Sequence, residues 1–186
     1  NLVTVETDEN LIPYINVESN AGTLSVNNIY DLKSKKGITV EIFYRDLNKI
    51  YSMGASKIMH ADVLKTDKLT VDLAGTGLIE LNVDAEETDV ILSGAGLIRM
   101  KGQVNRQTVT LSGAGAYKAA DFKSGQCRIS LLGLGSAEVY AREELEATVN
   151  GLGSITYGGR PKVVTRNISG LGKIEPDPQF EEDVNL

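Results

Sequence analysis

Apolar and polar residues alternate along short stretches of this chain, and a Gly-x-Gly motif interrupts the alternation at regular intervals. The motif occurs at Gly75–Gly77, Gly94–Gly96, Gly113–Gly115, Gly133–Gly135, Gly151–Gly153 and Gly170–Gly172. Successive copies lie 19, 19, 20, 18 and 19 residues apart. A looser copy, Gly54-Ala55-Ser56, precedes them. A period held over about 100 residues indicates a repeat architecture.

Residues at equivalent positions of the repeats share their chemistry. Three positions around the motif are apolar, and their members are Val71, Val90, Val109, Ile129 and Ala147; Leu73, Leu92, Leu111, Leu131, Val149 and Ile168; and Ile79, Ile98, Tyr117, Ala137, Ile155 and Ile174. The residues between them are mostly polar, and this period of two predicts strands with one buried face. Helices are disfavoured, because each interior glycine would cost a helix about 1 kcal/mol.

The length of the repeat determines how the strands connect. About 19 residues are too few for a strand and a crossover helix, but they suffice for two or three short strands joined by tight corners. The chain is therefore predicted to be all-β, a single-stranded parallel β-helix, or β-solenoid, whose rungs stack about 4.8 Å apart. One rung is one complete turn of the solenoid.

Stacking of the rungs predicts which charged side chains meet. The position three residues after the second glycine is occupied in successive repeats by Glu80, Arg99, Lys118, Glu138, Thr156 and Glu175. In register, Glu80 faces Arg99 and Lys118 faces Glu138. Such surface pairs contribute only about 0–1 kcal/mol each, so they report the register more than they stabilise the fold.

The two ends of the chain are less regular than its middle. The segments PYINV (13–17) and ITVEIFY (38–44) alternate, and Ala21-Gly22 and Lys36-Gly37 are typical of turns. We predict irregular β rungs of the same domain over residues 1–58, regular rungs over 59–176 and an acidic tail over 177–186. Arg166 interrupts an apolar column, and Pro176 and Pro178 cannot extend a ladder, which predicts a terminal cap.

The order of these motifs resembles a known family. GTLSV, then NKIYSMGASKI, then repeated rungs such as LSGAGLI (92–98) and LSGAGAY (111–117) are similar to the auto-transporter adhesin "head GIN" domain, a domain of unknown function common in Bacteroidetes. The resemblance covers roughly residues 1–176. It implies a right-handed parallel β-helix exported to the bacterial envelope or cell surface. It brings no catalytic residues that map onto this chain.

Composition excludes several classes of partner. The net charge of −6 argues against nucleic acid, which requires a concentrated basic face, and the cluster of Lys33, Lys35 and Lys36 is typical of a solvated turn. Cys127 is the single cysteine, so no disulfide framework is expected. No apolar run is long enough for a transmembrane segment. The chain opens at Asn1 without a charged-then-apolar leader, which either a removed signal peptide or a trimmed sequence would explain.

Candidate catalytic chemistry is sparse. GAGLIR has Arg99 where a dinucleotide fingerprint requires glycine, which argues against a nucleotide site. β-Helices also host pectin-degrading enzymes, and the acidic stretch Asp84, Glu86, Glu87 and Asp89 is a candidate Ca²⁺ loop, although it is also typical of a solvated inter-rung turn. His60, the sole histidine, is interpreted as a surface or turn residue and Cys127 as a packing residue.

The sequence therefore predicts no catalytic, cofactor-binding or metal-binding residues and no cofactor. The favoured function is a non-enzymatic binding or adhesion module of the bacterial envelope, whose partner is a glycan, protein or lipid surface. A pectinase-like enzyme that acts on polysaccharides and a structural or lipid-binding envelope protein are the alternatives. Open solenoid ends are sheet edges that invite pairing, so a homo-oligomer formed by stacking of copies is a further expectation.

Overall fold

The computed structural model describes residues 2–28 and 30–180, which form two compact units, Asn1–Asp46 and Leu47–Leu186. Two short 3₁₀ helices cover Glu9–Tyr14 and Pro178–Phe180. The strands are β1 (Leu2–Glu6), β2 (Ile15–Asn20), β3 (Thr23–Asn28), β4 (Thr39–Phe43), β5 (Lys49–Ser52), β6 (Lys57–Leu73), β7 (Leu78–Leu92), β8 (Leu97–Leu111), β9 (Ala116–Lys118), β10 (Phe122–Leu131), β11 (Ser136–Gly151), β12 (Ser154–Gly158), β13 (Val163–Gly170) and β14 (Lys173–Pro176).

The first unit consists of antiparallel pairs. Strand β2 pairs with β3 through the two-residue turn Ala21-Gly22, whose φ angles of 48° and 81° are both positive, as a type I′ hairpin turn requires. Strand β1 pairs antiparallel with β4. The predicted turns are thus present, but these strands differ from the parallel rungs expected over residues 1–58. The physical reason is that a two-residue turn can join only antiparallel neighbours.

The carboxylate of Asp8, which follows β1, holds the loop between β3 and β4 by hydrogen bonds. The backbone N–H of Lys35 and the hydroxyl of Ser34 each donate to Asp8 Oδ2 at 2.8 Å. These hydrogen bonds, the one from Lys35 above all, lower the pKa of the Asp8 carboxyl. Lys33, Lys35 and Lys36 are exposed in this loop, which confirms that they mark a solvated segment.

The second unit is a parallel β-solenoid of about seven rungs with about 19 residues per rung, as predicted. Parallel pairing begins where β5 joins β6 and continues through β7, β8, β10 and β11 to β12, β13 and β14. The register advances by one repeat at each step, so that Val71 pairs with Val90 and Val90 with Val109. Several strands are longer than the expected two or three short strands per rung, since β6, β7, β8 and β11 are 17, 15, 15 and 16 residues long.

The three predicted apolar columns form the core of the solenoid. Their members are buried from Val71 to Ile155, and Ile174 is only 5% exposed. Ile168 departs from this pattern, since it is 51% exposed in β13. Every described residue of β13 is exposed, so the last rung presents core positions to solvent. The predicted cap therefore ends the strand ladder, with Pro176 pairing opposite Tyr157, but among the described residues no strand covers the outer side of β13.

Candidate functional site

A column of outward-facing side chains crosses five rungs of the solenoid just after the Gly-x-Gly corners. Strand pairing places the residues of this column one above the other, in the order Met59, Glu80, Arg99, Lys118 and Glu138. With about 4.8 Å between rungs, the column is about 19 Å long. The sequence predicted its register but not that it borders a concave surface.

This column forms one side of a groove of about 550 Å³. The other lining residues include His60, Asn82, Lys101 and Asp121, together with the methionine and alanine side chains of the same rungs. The groove follows the solenoid axis because each rung contributes equivalent residues to it. The sequence analysis missed Asn82, Lys101 and Asp121, although the first two lie on outward strand positions two residues after members of the predicted column. Asp121 lies in the turn between β9 and β10, where the alternation gives no signal.

Ion pairs between rungs order the charged side chains of the groove. Arg99 Nη1 lies 3.0 Å from Glu80 Oε1, and Lys118 Nζ lies 3.5 Å from Glu138 Oε1. Both predicted pairs are confirmed. Three of the four side chains are about half exposed, and Glu80 is 28% exposed. Each pair is therefore expected to contribute at most about 1 kcal/mol.

Two charged side chains of the groove, those of Lys101 and Asp121, have no side-chain partner among the described residues. Within residues 2–28 and 30–180, neither Lys101 nor Asp121 makes a side-chain ion pair or hydrogen bond. Both are exposed. The six charges of the groove, three cations and three carboxylates, therefore balance, and one of each sign is available to a ligand.

His60 lies in strand β6, where it lines the groove half-buried. Its Nδ1 atom is 2.9 Å from the backbone oxygen of Asp62. The ring is thus tied to its own strand rather than placed in a turn. The sequence anticipated a surface position but not the groove.

The acidic stretch from Asp84 to Asp89 lies on the continuous strand β7, so its interpretation as an inter-rung turn or loop is wrong. Side chains of the neighbouring rungs form hydrogen bonds or ion pairs with its carboxylates. Gln103 and Asn105 donate to Asp84 and Glu86, Lys68 and Arg106 pair with Glu87, and Lys68 lies 3.1 Å from Asp89, whose carboxylate raises the pKa of this lysine. Among the described residues, no group of three or more His, Cys, Asp or Glu is placed to hold a metal ion.

The interior of the solenoid contains a polar network that the column analysis did not reveal. The Tyr117 hydroxyl donates to Gln107 Oε1 at 3.1 Å, Gln107 Nε2 donates to Ser124 Oγ at 3.0 Å, and Ser124 donates to the Tyr140 carbonyl oxygen. Burial, and secondarily Cys127, raises the pKa of Tyr117 well above its ordinary value. The network is closed to solvent and orders the core rather than a ligand.

Cys127 is buried beside this network, which confirms its interpretation as a packing residue. Burial raises the pKa of its thiol to about 12. Because the thiolate is the reactive form of cysteine, a thiol held neutral by burial is a poor nucleophile.

A second surface feature is a row of leucines at the Gly-x-Gly corners of the last rungs. Leu134, Leu152 and Leu171 occupy the residue between the two glycines and are 66%, 60% and 83% exposed. Earlier rungs have Thr76, Ala95 and Ala114 at this position. Leu132, at 46% exposure, lies at the same corner. None of these leucines is buried, so the row is a candidate apolar contact surface.

Solved structures share this architecture over nearly the whole chain. A putative adhesin from Bacteroides fragilis superimposes with a TM-score of 0.86 at 23% identity, covering 94% of this chain and 82% of that one. A putative lipid binding protein from Parabacteroides distasonis gives 0.76 at 24% identity, covering 94% and 83%. A putative adhesin from Parabacteroides merdae gives 0.66 at 22% identity, covering 94% and 82%. At sequence identities this low, the structural similarity shows a shared fold and nothing more.

Sequence comparison identifies the family. No curated protein is similar enough to match. The part of the chain that the structure describes contains no helix long and apolar enough to cross a membrane. Residues 1–161 match the family described as "Putative auto-transporter adhesin, head GIN domain". This chain therefore belongs to the head GIN domain family of putative auto-transporter adhesins.

Proposed function

We propose that this protein is a non-enzymatic adhesion module of the bacterial envelope that holds an extended glycan along the groove. The observation that carries the proposal is that the groove crosses five rungs, each of which contributes at least one polar or charged side chain to its lining. A linear polymer fits such a surface better than a compact molecule does, because the same kinds of contact recur along the axis. Many shallow contacts then add up to useful affinity.

The charge balance of the groove favours a polyhydroxyl ligand. Arg99, Lys101 and Lys118 supply donors, while Glu80, Asp121 and Glu138 supply acceptors. A sugar hydroxyl both donates and accepts, so it can use this mixture, whereas a uniformly anionic polymer would meet the carboxylates. The uncommitted Lys101 and Asp121 are the residues expected to contribute most to binding.

The disposition of the charged groups favours binding over turnover. Glu80 and Glu138 each face a cation of the neighbouring rung, and His60 Nδ1 contacts a backbone oxygen of its own strand. A pectinase-like enzyme needs an acid or base free to exchange a proton with its substrate. Glu87 and Asp89 also face cations, and Asp84 and Glu86 accept hydrogen bonds from the side-chain amides of Gln103 and Asn105, which disfavours the calcium-dependent lyase alternative.

A glycan array followed by titration of any bound polysaccharide tests the proposal. We expect binding without release of shorter products, and about tenfold weaker binding for Lys101→Glu or Asp121→Lys. Lys65→Glu is the matched control, since Lys65 is an exposed lysine outside the groove. Turnover of the bound polymer, or equal losses for Lys65→Glu and Lys101→Glu, would refute the proposal.

A lipid surface is the second candidate partner, and the leucine row favours it. Exposed leucines on a protein edge are suited to shallow insertion at a membrane interface. One structural neighbour is described as a putative lipid binding protein. Co-sedimentation with phosphatidylglycerol-containing vesicles should then be lost when Leu134, Leu152 and Leu171 are all changed to Ser, while Lys101→Glu leaves it unchanged.

The envelope location is part of the same proposal and has its own test. The family description as an auto-transporter adhesin supports export. Fractionation of cells that express the protein from its natural gene should place it in the envelope or medium. Recovery in the cytoplasm alone would contradict the adhesion role.

A further inference from the structure

The last rung of the solenoid carries an open strand edge. Strand β13 pairs in parallel with β11 along its full length, from Glu144 opposite Val163 to Gly151 opposite Gly170. Among residues 2–28 and 30–180, no strand pairs with the opposite side of β13. The outer N–H and C=O groups of such an edge are a template for a further strand.

The open edge also leaves three core slots uncovered. Val164, Arg166 and Ile168 continue columns whose preceding members, Leu145, Ala147 and Val149, are completely buried. Val164 and Ile168 are 38% and 51% exposed, and Arg166 is exposed as well. Each earlier member is covered by the next rung. A strand added to β13 would place every second side chain over these slots.

The middle slot determines the charge of the side chain that fits. Arg166 Nη2 donates to the Tyr157 hydroxyl, and the guanidinium lies 5.1 Å from the centre of the Tyr157 ring. A guanidinium has five N–H donors, so several remain for an acceptor that covers it. A carboxylate in this position would form a charge-assisted hydrogen bond. The flanking slots over Val164 and Ile168 take apolar side chains.

The same slots argue against pairing of β13 with itself. Side chains directly opposite each other in an antiparallel pair lie on the same face. A two-fold pairing that matches Val164 with Ile168 therefore sets Arg166 against its own copy. Like charges opposite one another are destabilising, so a homodimer across this edge lacks charge complementarity.

From these contacts we infer that β13 is a docking edge for an extended segment of a partner protein, with the pattern apolar–x–acidic–x–apolar. The segment adds as one more strand, its backbone bonds to β13, and its acidic residue covers Arg166. This site is at the end of the solenoid, and its prediction does not depend on the groove or on the proposed glycan.

The probe is the fluorescently labelled peptide Thr-Val-Thr-Glu-Thr-Val-Thr, measured by anisotropy against the 186-residue chain. We expect saturable binding together with slowed amide hydrogen exchange in β13. Replacement of the peptide Glu by Lys should abolish binding, and Arg166→Gln should weaken it by about tenfold or more. The Arg166→Glu variant should instead bind the peptide that carries Lys in place of Glu. Unfolding of the last rung could not produce this reversal of charge preference.

The chain itself contains this pattern at residues 180–184, Phe-Glu-Glu-Asp-Val. A form that lacks residues 181–186 therefore accompanies the full chain in the titration. Binding to both forms supports the inference. Binding only to the shortened form, dimerisation of the full chain that Arg166→Gln abolishes, or equal binding of the Glu and Lys peptides would overturn it.

Discussion

Gly113 lies directly over Gly94 of the preceding rung, so closely that a Cβ atom on Gly113 would overlap the Gly94 carbonyl oxygen. Gly94 stands in the same relationship to Gly75. Neither Gly94 nor Gly113 has a positive φ angle. The corner therefore requires glycine because the rungs approach each other there, and not because of a positive φ angle.

Gly94→Val or Gly113→Val should lower the free energy of unfolding by about 1–3 kcal/mol or more, because the new side chain must push neighbouring rungs apart. Urea unfolding measures the loss. Ala95→Val is the matched control, since Ala95 is an exposed neighbour at the position that holds leucine in later rungs. An equal loss in both variants, or loss of a ligand at an unchanged Tm, would contradict the packing explanation.

Thr88→Val should raise stability. Thr88 is 1% exposed, and its Oγ1 has no hydrogen-bond partner among the described residues. A buried hydroxyl without a partner carries a desolvation penalty of about 1–3 kcal/mol, which an isosteric methyl group removes. Thr108→Val, at an exposed position of β8, should change the unfolding midpoint little. A destabilised Thr88→Val would show that the hydroxyl has an unseen partner.

Tyr117→Phe should cost about 1–3 kcal/mol, because it removes the donor to Gln107 Oε1 and leaves that buried oxygen unsatisfied. The double variant Tyr117→Phe/Gln107→Leu should cost less than the sum of the two single changes, since the polar partners leave together. Thermal unfolding of the four proteins gives the coupling. Strict additivity would mean that the network is not cooperative.

Glu80→Gln and Arg99→Gln should each lower stability by less than about 1 kcal/mol, and the coupling in a double-mutant cycle should be of the same size. Screening by salt should shrink the coupling towards zero at about 1 M NaCl. Unfolding midpoints at low and high salt provide the test. A coupling that persists in high salt would indicate a pair more buried than its geometry shows.

Stability should fall as the pH rises above the ordinary thiol value of 9.0 towards the folded value of about 12 for Cys127. The unfolded thiol loses its proton first, so the unfolded state gains stability by at most about 1.4 kcal/mol per pH unit in that window. The contribution is fully present below pH 9. Between about pH 8 and about pH 10, Cys127→Ala should lose less stability than the wild type by urea unfolding. Parallel losses would mean that other groups dominate.

The periodic sequence by itself determined the solenoid, its register and its core. The 19-residue spacing allowed one way of stacking, and it brought Glu80 to Arg99 and Lys118 to Glu138 as predicted. These relationships follow from local alternation repeated at constant length, so the pattern suffices. Residues 1–46 lack such a repeat, and the hairpin at Ala21-Gly22 shows that turn geometry there selects antiparallel pairing. The boundaries at residues 58 and 176 remain predictions, and residues 181–186 of the acidic tail lie outside the described residues.

Tertiary structure alone decided what the outward columns form. Alternation indicates that Lys101 faces outward, but Asp121 lies in the turn between β9 and β10, where alternation gives no direction. Whether the surface that these residues form is flat or concave depends on how each rung bends. The same holds for Gln107 and Thr88, whose polar side chains enter a core column because position in the rung, and not polarity, sets the direction of a side chain. The exposure of Ile168 has a similar origin, since within residues 2–28 and 30–180 no further rung stacks on it as β13 stacks on Val149. Curvature, interior hydrogen bonds and the open end are properties of stacked rungs, and no single repeat contains them.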